Sequence, residues 1–537
     1  MISRDLHDHI KALEAKGLLC RITRPINKDT ELHPLVRLQF NALPESERKA
    51  FLFENVIDSK GNKYDFPVLV GGVAASREIY AVGMGCSVEE ISAKWALASS
   101  NPIPPTVVEN AKVQEVVRYI DESDPAKRHG FDLFPIPIST PGWDTAPYLT
   151  CAQWVSQDPI TGDKNVGNYR GHIKSPTRTG IKLLGPQQDI YKHMQNAMKL
   201  GQPLDVAVVI GGPPGLTHAS ASKLPAGVDE IAVAGALIGE SIPVVKCKTS
   251  NLMVPANAEV IVEGKIRFDY LEPEGPFGDF HGYMHPVEYE VCMEVTCITY
   301  RKDAIWVSLI SQLAPSESSV IRGMSTNALL LKHLRTSMGV TSVKDAICFE
   351  AMVGLRRLVI LQMDHPILDQ TTRALMGAGT FMSMGAKIVI AVDSDIDITD
   401  LTSVMWAVGM RCIPHKDVQI VHGLKKGSLP PFRELDENGI VIDAGRGDEE
   451  SLLLIDATLK GRAFPPISLP KKEYMEKAIG IWNELGLPEL HLHTPWFGYD
   501  LGGWSKILED QADEAAKGNY YSNDGYYKAL RKELDTY

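Results

Sequence analysis

Leu6, Ile10 and Leu13 recur at helical spacing in a charged stretch that Gly17 closes, so the chain opens on an amphipathic helix. Strand-like apolar runs follow at Ala50–Phe53 and Val68–Val70, then a helical stretch from Ser87 to Ser99. The segment Asn101-Pro-Ile-Pro-Pro105 breaks the pattern. These elements read as an N-terminal α/β unit, residues 1–120.

Residues 121–318 read as β-rich, entered through the Pro-rich stretch Phe134–Pro147. Asn165–Ile173 and Thr179–Leu184 are strand-like runs joined by the turn Ser175-Pro-Thr-Arg178. Val260–Val262 and Lys265–Tyr270 flank Glu263-Gly264, which predicts a hairpin. Val291, Met293, Val295 and Cys297 alternate with Cys292, Glu294, Thr296 and Ile298. After Arg301-Lys302-Asp303 the alternation resumes at Ile305, Val307 and Leu309, predicting a second hairpin with one core-facing side. Inserted helices are predicted at Gln188–Leu200, closed by Gly201, and at Asp229–Gly239.

Residues 319–470 return to α/β alternation. A helical stretch at Asp369–Met384 leads into the buried strand Lys387–Val392. Asp393-Ser-Asp-Ile-Asp397 follows, then a helix with Leu401, Val404 and Val408 on one side. Pro465-Pro466 and Pro470 end this unit. The tail, residues 471–537, carries Trp496, Phe497 and Trp504 and a last helical pattern at Ile507–Lys517. Such a tail packs on its own domain or on another subunit. There are no internal repeats.

The length, 537 residues, suggests about three to four domains. With 44% hydrophobic and 23% charged residues the chain is globular, which sets disordered and low-complexity classes aside. The charge is 55 − 67 = −12, which argues against nonspecific nucleic-acid or anionic-membrane binding. A local basic pocket for one phosphate is still allowed. The eight cysteines form no CxxC pair, so they are expected to be reduced thiols of a cytosolic protein. The first residues lack the apolar core of a signal peptide, and no apolar run nears the ~18 residues of a membrane span. The expectation is a soluble, cytoplasmic protein without a membrane span.

Several Gly-rich turns occur, at 70–72, 83–85 and 210–215, but none completes a dinucleotide fingerprint or a Walker A loop. His281 and His285 stand four apart, yet Gly282 and Pro286 make a helix there improbable, so a metal pair has weak support. His491 and His493 have no third ligand nearby. The segment Leu271–Tyr283 differs. It places Glu272, Glu274 and Asp279 within eight residues, on a Pro-stiffened loop that also carries Phe277, Phe280 and Tyr283. Aromatics prefer burial, and partly buried carboxylates are where acid/base chemistry arises. Asn165–Arg170 reads either as an edge strand with a solvated arginine or as an Arg fork aimed at a carboxylate.

These segments occur together in a distinctive order. Asn165-x-x-x-x-Arg170 is followed by Pro186-Gln187-Gln188, then Pro225-Ala-Gly-Val-Asp-Glu230, then Gly239-Glu-Ser-Ile-Pro-Val-Val-Lys-Cys247. Leu252-Met-Val-Pro-Ala256 and Glu274-Gly-Pro-Phe-Gly-Asp279-x-His281-Gly-Tyr283 complete the series. From Gly83 to Asp397 the chain resembles the UbiD family of decarboxylases that use prenylated FMN. The resemblance implies an α/β (α+β) fold with a central split β-barrel that binds the flavin. N-terminal and C-terminal α/β units flank it, the C-terminal one mediating a homodimer or homohexamer, and a helical tail follows.

The resemblance also implies roles for particular residues. Asn165, Gly167, Asn168, Arg170, Gln187, Gln188, Glu230 and Lys387 match cofactor-binding positions. Among them Asn165, Gln188 and Glu230 match ligands of a divalent cation, Mn²⁺ or Mg²⁺, that meets the cofactor phosphate. A K⁺ ion held by backbone oxygens is typical of the family. Lys387 would help to offset the phosphate charge. Arg170, Glu274 and Asp279 match an acid–Arg–acid catalytic network, with Asp279 at the proton-donor position. Spacing leaves Glu274 open as the alternative donor. Gln188 stands where many members have His, and Asp279 where many have Glu.

The implied reaction is a reversible, non-oxidative decarboxylation. The substrate would be an aromatic or α,β-unsaturated acid, or an aryl-CoA thioester. Prenylated FMN would be the electron sink, supplied by a flavin prenyltransferase. A noncatalytic flavin-binding or assembly protein is the alternative, although it would not need Arg170, Glu274 and Asp279. A metal-dependent hydrolase using Glu230 and the histidines ranks last, because it lacks clustered ligands.

Overall fold

In the computed structural model the described residues are 3–532, apart from 184, 186–187, 223, 225–226, 280–281, 350–356, 365–367, 382–385, 425–434, 442–449, 462–463 and 502. The opening helix is Leu6–Ala15. It is capped by the Asp5 side chain and buries Leu6, Ile10 and Leu13, as the spacing predicts. Beside it lies a four-stranded sheet in the order Leu19–Ile22, Ala50–Phe53, Val68–Val70, Trp306–Ser308.

The last of these strands corrects an expectation. Cys292–Tyr300 and Trp306–Ser308 are both strands, but they do not form a hairpin. Cys292–Tyr300 runs in the central sheet, whereas Trp306–Ser308 lies parallel to Val68–Val70. Between them Arg301 is buried among Asp5, Glu259 and Asp303, which pins the chain as it leaves one sheet for the other. Alternation marks a strand; it does not name a parallel partner far away in sequence.

The central sheet is curled. Its order is Lys164–Asn168, Gln153–Gln157, Leu204–Ile210, Val260–Ile266, Cys292–Tyr300, Arg178–Ile181, Gly171–Ser175, Tyr148–Leu149, with Val116–Tyr119 added beside Cys292–Tyr300. The expected hairpin at Glu263-Gly264 is instead one strand, Val260–Ile266, with a bulge at that point. The Glu263 carboxylate accepts the N–H groups of Lys248 and Thr249 and the Thr249 hydroxyl, so it is buried within the sheet rather than exposed at a turn.

The expected single strand Asn165–Ile173 is two strands. Lys164–Asn168 forms one edge of the sheet, and Gly171–Ser175 lies next to the opposite edge. Only Tyr169 and Arg170 join them, so the two ends of the sheet must meet there, which makes the sheet a split barrel. The crossing is fastened on both sides. Trp154 Nε1 donates to the Tyr169 carbonyl at 2.9 Å, and the Lys182 N–H donates to the Arg170 carbonyl at 3.2 Å.

One continuous core joins the N-terminal unit to the barrel and holds Trp95, Trp154 and Trp306. Each large apolar side chain buried there contributes roughly 1.5–3 kcal/mol. Helix Glu317–Lys332, capped by Ser316, leads from the barrel to the C-terminal sheet. That sheet is ordered Val343–Cys348, Leu358–Met363, Ile388–Asp393, Glu450–Asp456, Val418–Leu424. Val359, Leu361 and Met363 face one core, and Leu358 and Ile360 face another, so both sides of the sheet are covered. The helix expected at Asp369–Met384 is Leu368–Thr380. In the tail, helices Lys472–Glu484 and Lys506–Ala516 bury no residue, while the Asp397 N–H bonds the Thr494 carbonyl. All eight cysteines are free thiols. Among the described residues no helix is long and apolar enough to cross a membrane.

Candidate active site

The crossing segment aims Arg170 at the loop that the sequence singled out. Glu274 ends the short strand Glu272–Glu274, and Asp279 follows the strand Phe277–Gly278. The Glu274 carboxylate is fully buried and meets Arg170 at two points, Nε–Oε1 2.9 Å and Nη2–Oε2 2.7 Å. Asp279 Oδ2 lies 3.8 Å from Arg170 Nη1, on the other side of the guanidinium. Between the two acids Gly275 adopts φ +110°, a conformation that only glycine takes without strain, and the chain reverses beyond Asp279, whose N–H donates to the Tyr283 carbonyl at 3.0 Å. The guanidinium lies 4.9 Å from the centre of the Phe277 ring, which packs on Tyr148, and Tyr148 in turn stacks on His172.

Burial alone would raise the pKa of Glu274. The Arg170 charge and hydrogen bonds, with the Lys182 charge nearby, overcome it and hold the carboxyl below its ordinary value. Burial also opposes the Arg170 charge, and Glu274 and Asp279 outweigh it, raising the guanidinium pKa. His172 is pushed down to about 4 by burial, and the Lys174 charge adds to the shift, so its ring is neutral near pH 7. Its Nδ1 is 2.9 Å from Lys174 Nζ.

Three residues of this site carry no sequence expectation. Lys182, with a side chain only 8% exposed, pairs with Glu288 and, at 2.8 Å, with Glu290. Glu288 stands directly across the strand pair from Glu274, so Lys182 offsets a repulsion between facing carboxylates. A lysine inside the apolar run Ile181-Lys182-Leu183 is the trace this leaves in the sequence. Asp144 accepts the Thr140 N–H at 2.6 Å; burial pushes its carboxyl up to about 6, against the opposing pull of backbone N–H groups and of Arg170. It lies in the Pro-rich stretch that reads as a connection. Arg322, on helix Glu317–Lys332, is pushed down by burial, and the Asp279 charge pushes it back up. Nothing local in the sequence marks it.

A second group gathers at the far end of the crossing strand. The Val166 N–H donates to Glu230 Oε2 at 3.0 Å, which ties helix Glu230–Ile238 to the strand of Asn165, Gly167 and Asn168. Burial, with the charges of Asp229 and Asp189 adding to it, pushes the Glu230 carboxyl up to about 7. Asn165 is buried, and its Nδ2 has no hydrogen-bond partner among the described residues. Its side chain meets the Tyr169 hydroxyl. A Cβ added at Gly167 would overlap the Tyr169 ring, so this position requires glycine. Gln188 immediately precedes helix Asp189–Lys199, next to the Asp189 charge that Glu230 and Tyr169 both feel. Gln187 lies outside the described residues.

Among the described residues no three His, Cys, Asp or Glu side chains gather as a metal cage. A cation here would rest on Glu230, amide oxygens and phosphate. That set suits a hard divalent ion, and a positive charge would relieve the buried Glu230. Lys387 stands on a different sheet. It precedes strand Ile388–Asp393; its N–H donates to the Arg357 carbonyl, and its carbonyl accepts the Leu453 N–H. Of the histidines, His285 bonds the Pro286 carbonyl at 2.9 Å, His491 and His493 are exposed, and His281 lies outside the described residues.

The family described as 3-octaprenyl-4-hydroxybenzoate carboxy-lyase matches the chain through three domains. Its N-terminal domain matches residues 10–97, its Rift-related domain residues 106–313 and its C-terminal domain residues 319–445. An uncharacterized protein of Archaeoglobus fulgidus is 30% identical over 510 residues, spanning 90% of this chain and 99% of its own. The fold is similar to that of HmfF, a UbiD-class enzyme of Pelotomaculum thermopropionicum, in complex with FMN. The identity is 30% and the TM-score 0.75, over 88% of this chain and 99% of that one. An evolved dimeric form of HmfF in complex with prFMN gives 29% and 0.73, over 87% and 97%.

Proposed function

The chain belongs to the UbiD family, and from that premise we propose that it is a prenylated-FMN-dependent carboxy-lyase acting reversibly on an aromatic or α,β-unsaturated carboxylic acid, or on an aryl-CoA thioester. The observation that carries this reading is the largely buried Arg170, its side chain 11% exposed, gripped by Glu274 at 2.9 and 2.7 Å and facing Asp279 at 3.8 Å. A protein that only stored flavin would have no use for that arrangement.

Prenylated FMN, when bound, supplies the electron sink that loss of CO₂ from an sp² carbon requires. Asn165, Gln188 and Glu230 would hold Mn²⁺ or Mg²⁺ against its phosphate, K⁺ would sit on backbone oxygens, and Lys387 would add positive charge. Arg170 orients the substrate carboxylate. Asp279 holds the proton that the substrate carbon receives once CO₂ has left. Glu274 is the weaker donor candidate: both its oxygens are engaged by Arg170, and its carboxyl is held below the ordinary value. It keeps Arg170 in place instead. The working protein is a cytoplasmic homodimer or homohexamer, with its cofactor supplied by a flavin prenyltransferase.

The test is co-expression with a flavin prenyltransferase, anaerobic purification, and measurement of the flavin spectrum and of CO₂ release from a panel of aryl and acrylic acids. Bound flavin with CO₂ release from at least one acid is the expected result. Bound flavin with no release across the panel would favour the noncatalytic flavin-binding reading.

A further inference from the structure

Arg170, His172 and Lys174 stand at alternate positions where the crossing runs into strand Gly171–Ser175, so their side chains leave the same face. All three meet one short stretch of the loop. Arg170 takes the Glu274 carboxylate. His172 Nδ1 accepts the Gly275 N–H at 3.4 Å, and the Lys174 ammonium donates to the Pro273 carbonyl. The Pro273 carbonyl belongs to the peptide group before Glu274, and the Gly275 N–H to the one after it. One strand therefore holds the Glu274 side chain and both peptide groups that flank it.

The two backbone contacts depend on each other. The Lys174 ammonium also donates to His172 Nδ1, at 2.9 Å. An imidazole nitrogen that faces two donors must be unprotonated, so the ring carries its single proton on Nε2. Tyr148 stacks on the ring, with centres 4.7 Å apart and planes 15° apart, and its hydroxyl donates to the Pro276 carbonyl at 3.3 Å. That stack fixes the plane in which His172 accepts. Resting on the decarboxylase reading above, we infer that His172 and Lys174 are positioning residues: they pin the peptide groups on either side of Glu274, so that its carboxylate meets Arg170 at two points and Arg170 stays opposite Asp279. His172 serves here as an acceptor, not as a filler of space, and Lys174 keeps it one. The titratable and charged groups facing this pair are Arg170 on the crossing, Glu272 and Glu274 on the loop strand, Arg178 and Cys292 on the neighbouring strands, and Tyr148 at the barrel edge.

Two substitutions separate accepting from packing. His172→Asn offers an oxygen about where Nδ1 stands, whereas His172→Phe keeps a ring on Tyr148 and accepts nothing. In the holoenzyme, CO₂ release per bound flavin is expected to fall about tenfold in His172→Phe, the scale of one lost hydrogen bond, and less than about threefold in His172→Asn. Equal rates in the two variants, or a faster Phe variant, would overturn the inference. The second arm uses no turnover. The FMN-loaded full chain, labelled with ¹⁵N-histidine, is followed by NMR from pH 7 down through the titration of the His172 ring, whose signals are those missing from His172→Asn. The wild-type ring is expected to be neutral at pH 7 with its proton on Nε2. In Lys174→Met it should titrate at a higher pH than in wild type, because the ammonium that opposes its charge is gone. A proton on Nδ1 of the neutral wild-type ring, or an unmoved titration in Lys174→Met, would overturn the inference whatever CO₂ release shows. If the NMR results hold while no acid releases CO₂ in wild type, it is the decarboxylase reading that fails.

Discussion

Glu274 commits both carboxylate oxygens to Arg170, at 2.9 and 2.7 Å, and no part of its side chain is exposed to water. A lysine cannot reproduce two parallel bonds from a planar fork. Arg170→Lys is therefore expected to lower CO₂ release about a hundredfold, the scale of a misplaced catalytic group, while flavin content stays near that of wild type. Activity within a fewfold of wild type would show that the two-point grip is not needed.

Asp279→Asn removes the proposed acid without changing side-chain size. Turnover is expected to fall by about 10²–10⁴-fold, with the flavin spectrum of the purified protein unchanged. The parallel variant Glu274→Gln separates the two acids. It should weaken substrate binding as well as turnover, because it loosens Arg170. A wild-type rate in Asp279→Asn would transfer the donor role elsewhere.

Lys182 neutralises Glu288 and Glu290 opposite the strand end that holds Glu274. Lys182→Met removes the cation from these partly buried carboxylates, and leaving such a charge-assisted pair broken costs about 1–3 kcal/mol. Urea unfolding at pH 7 should show a loss of that order. Lys182→Arg should recover most of it, and Lys182→Met/Glu288→Gln/Glu290→Gln should recover part.

Glu230→Ala removes the only acidic side chain proposed to hold the cation, and Lys387→Ala removes the proposed charge partner of the phosphate. Each is expected to lower the flavin retained through gel filtration, read as absorbance per protein. Retention equal to wild type in both variants would move the phosphate site away from these residues.

His9 is fully buried, with Nε2 2.6 Å from the Gly72 carbonyl, and burial pushes its pKa from 6.5 down to about 4. Because the folded value is depressed, the unfolded chain takes up a proton first as pH falls. The stabilisation from neutral His9 is therefore complete above pH 6.5 and is lost as pH falls toward about 4. Between pH 7 and pH 5, the stability advantage of wild type over His9→Gln should shrink by about 2 kcal/mol. Urea unfolding at the two pH values measures it, and an unchanged difference would assign the acid sensitivity to other groups.

Much of the site could be read from the order of residues because its chemistry is concentrated in two short segments. Arg170 lies on one, and Glu274 and Asp279 share the other, with aromatics that signal burial. The proposed cation group rests on resemblance, since an Asn, a Gln and a Glu on separate elements have no spacing of their own. Lys182, Asp144 and Arg322 escaped because each enters the site from an element whose local pattern says only strand, connection or helix.

The sequence by itself determined where strands and helices lie, because alternation and helical spacing are local consequences of burying one face. It also supplied the residue types the site needs. Only the tertiary structure decided which strands meet. Cys292–Tyr300 and Trp306–Ser308 part into two sheets, and in the sheet that holds Cys292–Tyr300 the pair Tyr169-Arg170 bridges opposite ends instead of continuing one strand. Strand partners are chosen by packing between segments far apart in the chain, and a periodicity of two carries no record of that choice. That closure sets Arg170 between two carboxylates and turns a solvated-looking arginine on an edge strand into the centre of the candidate site.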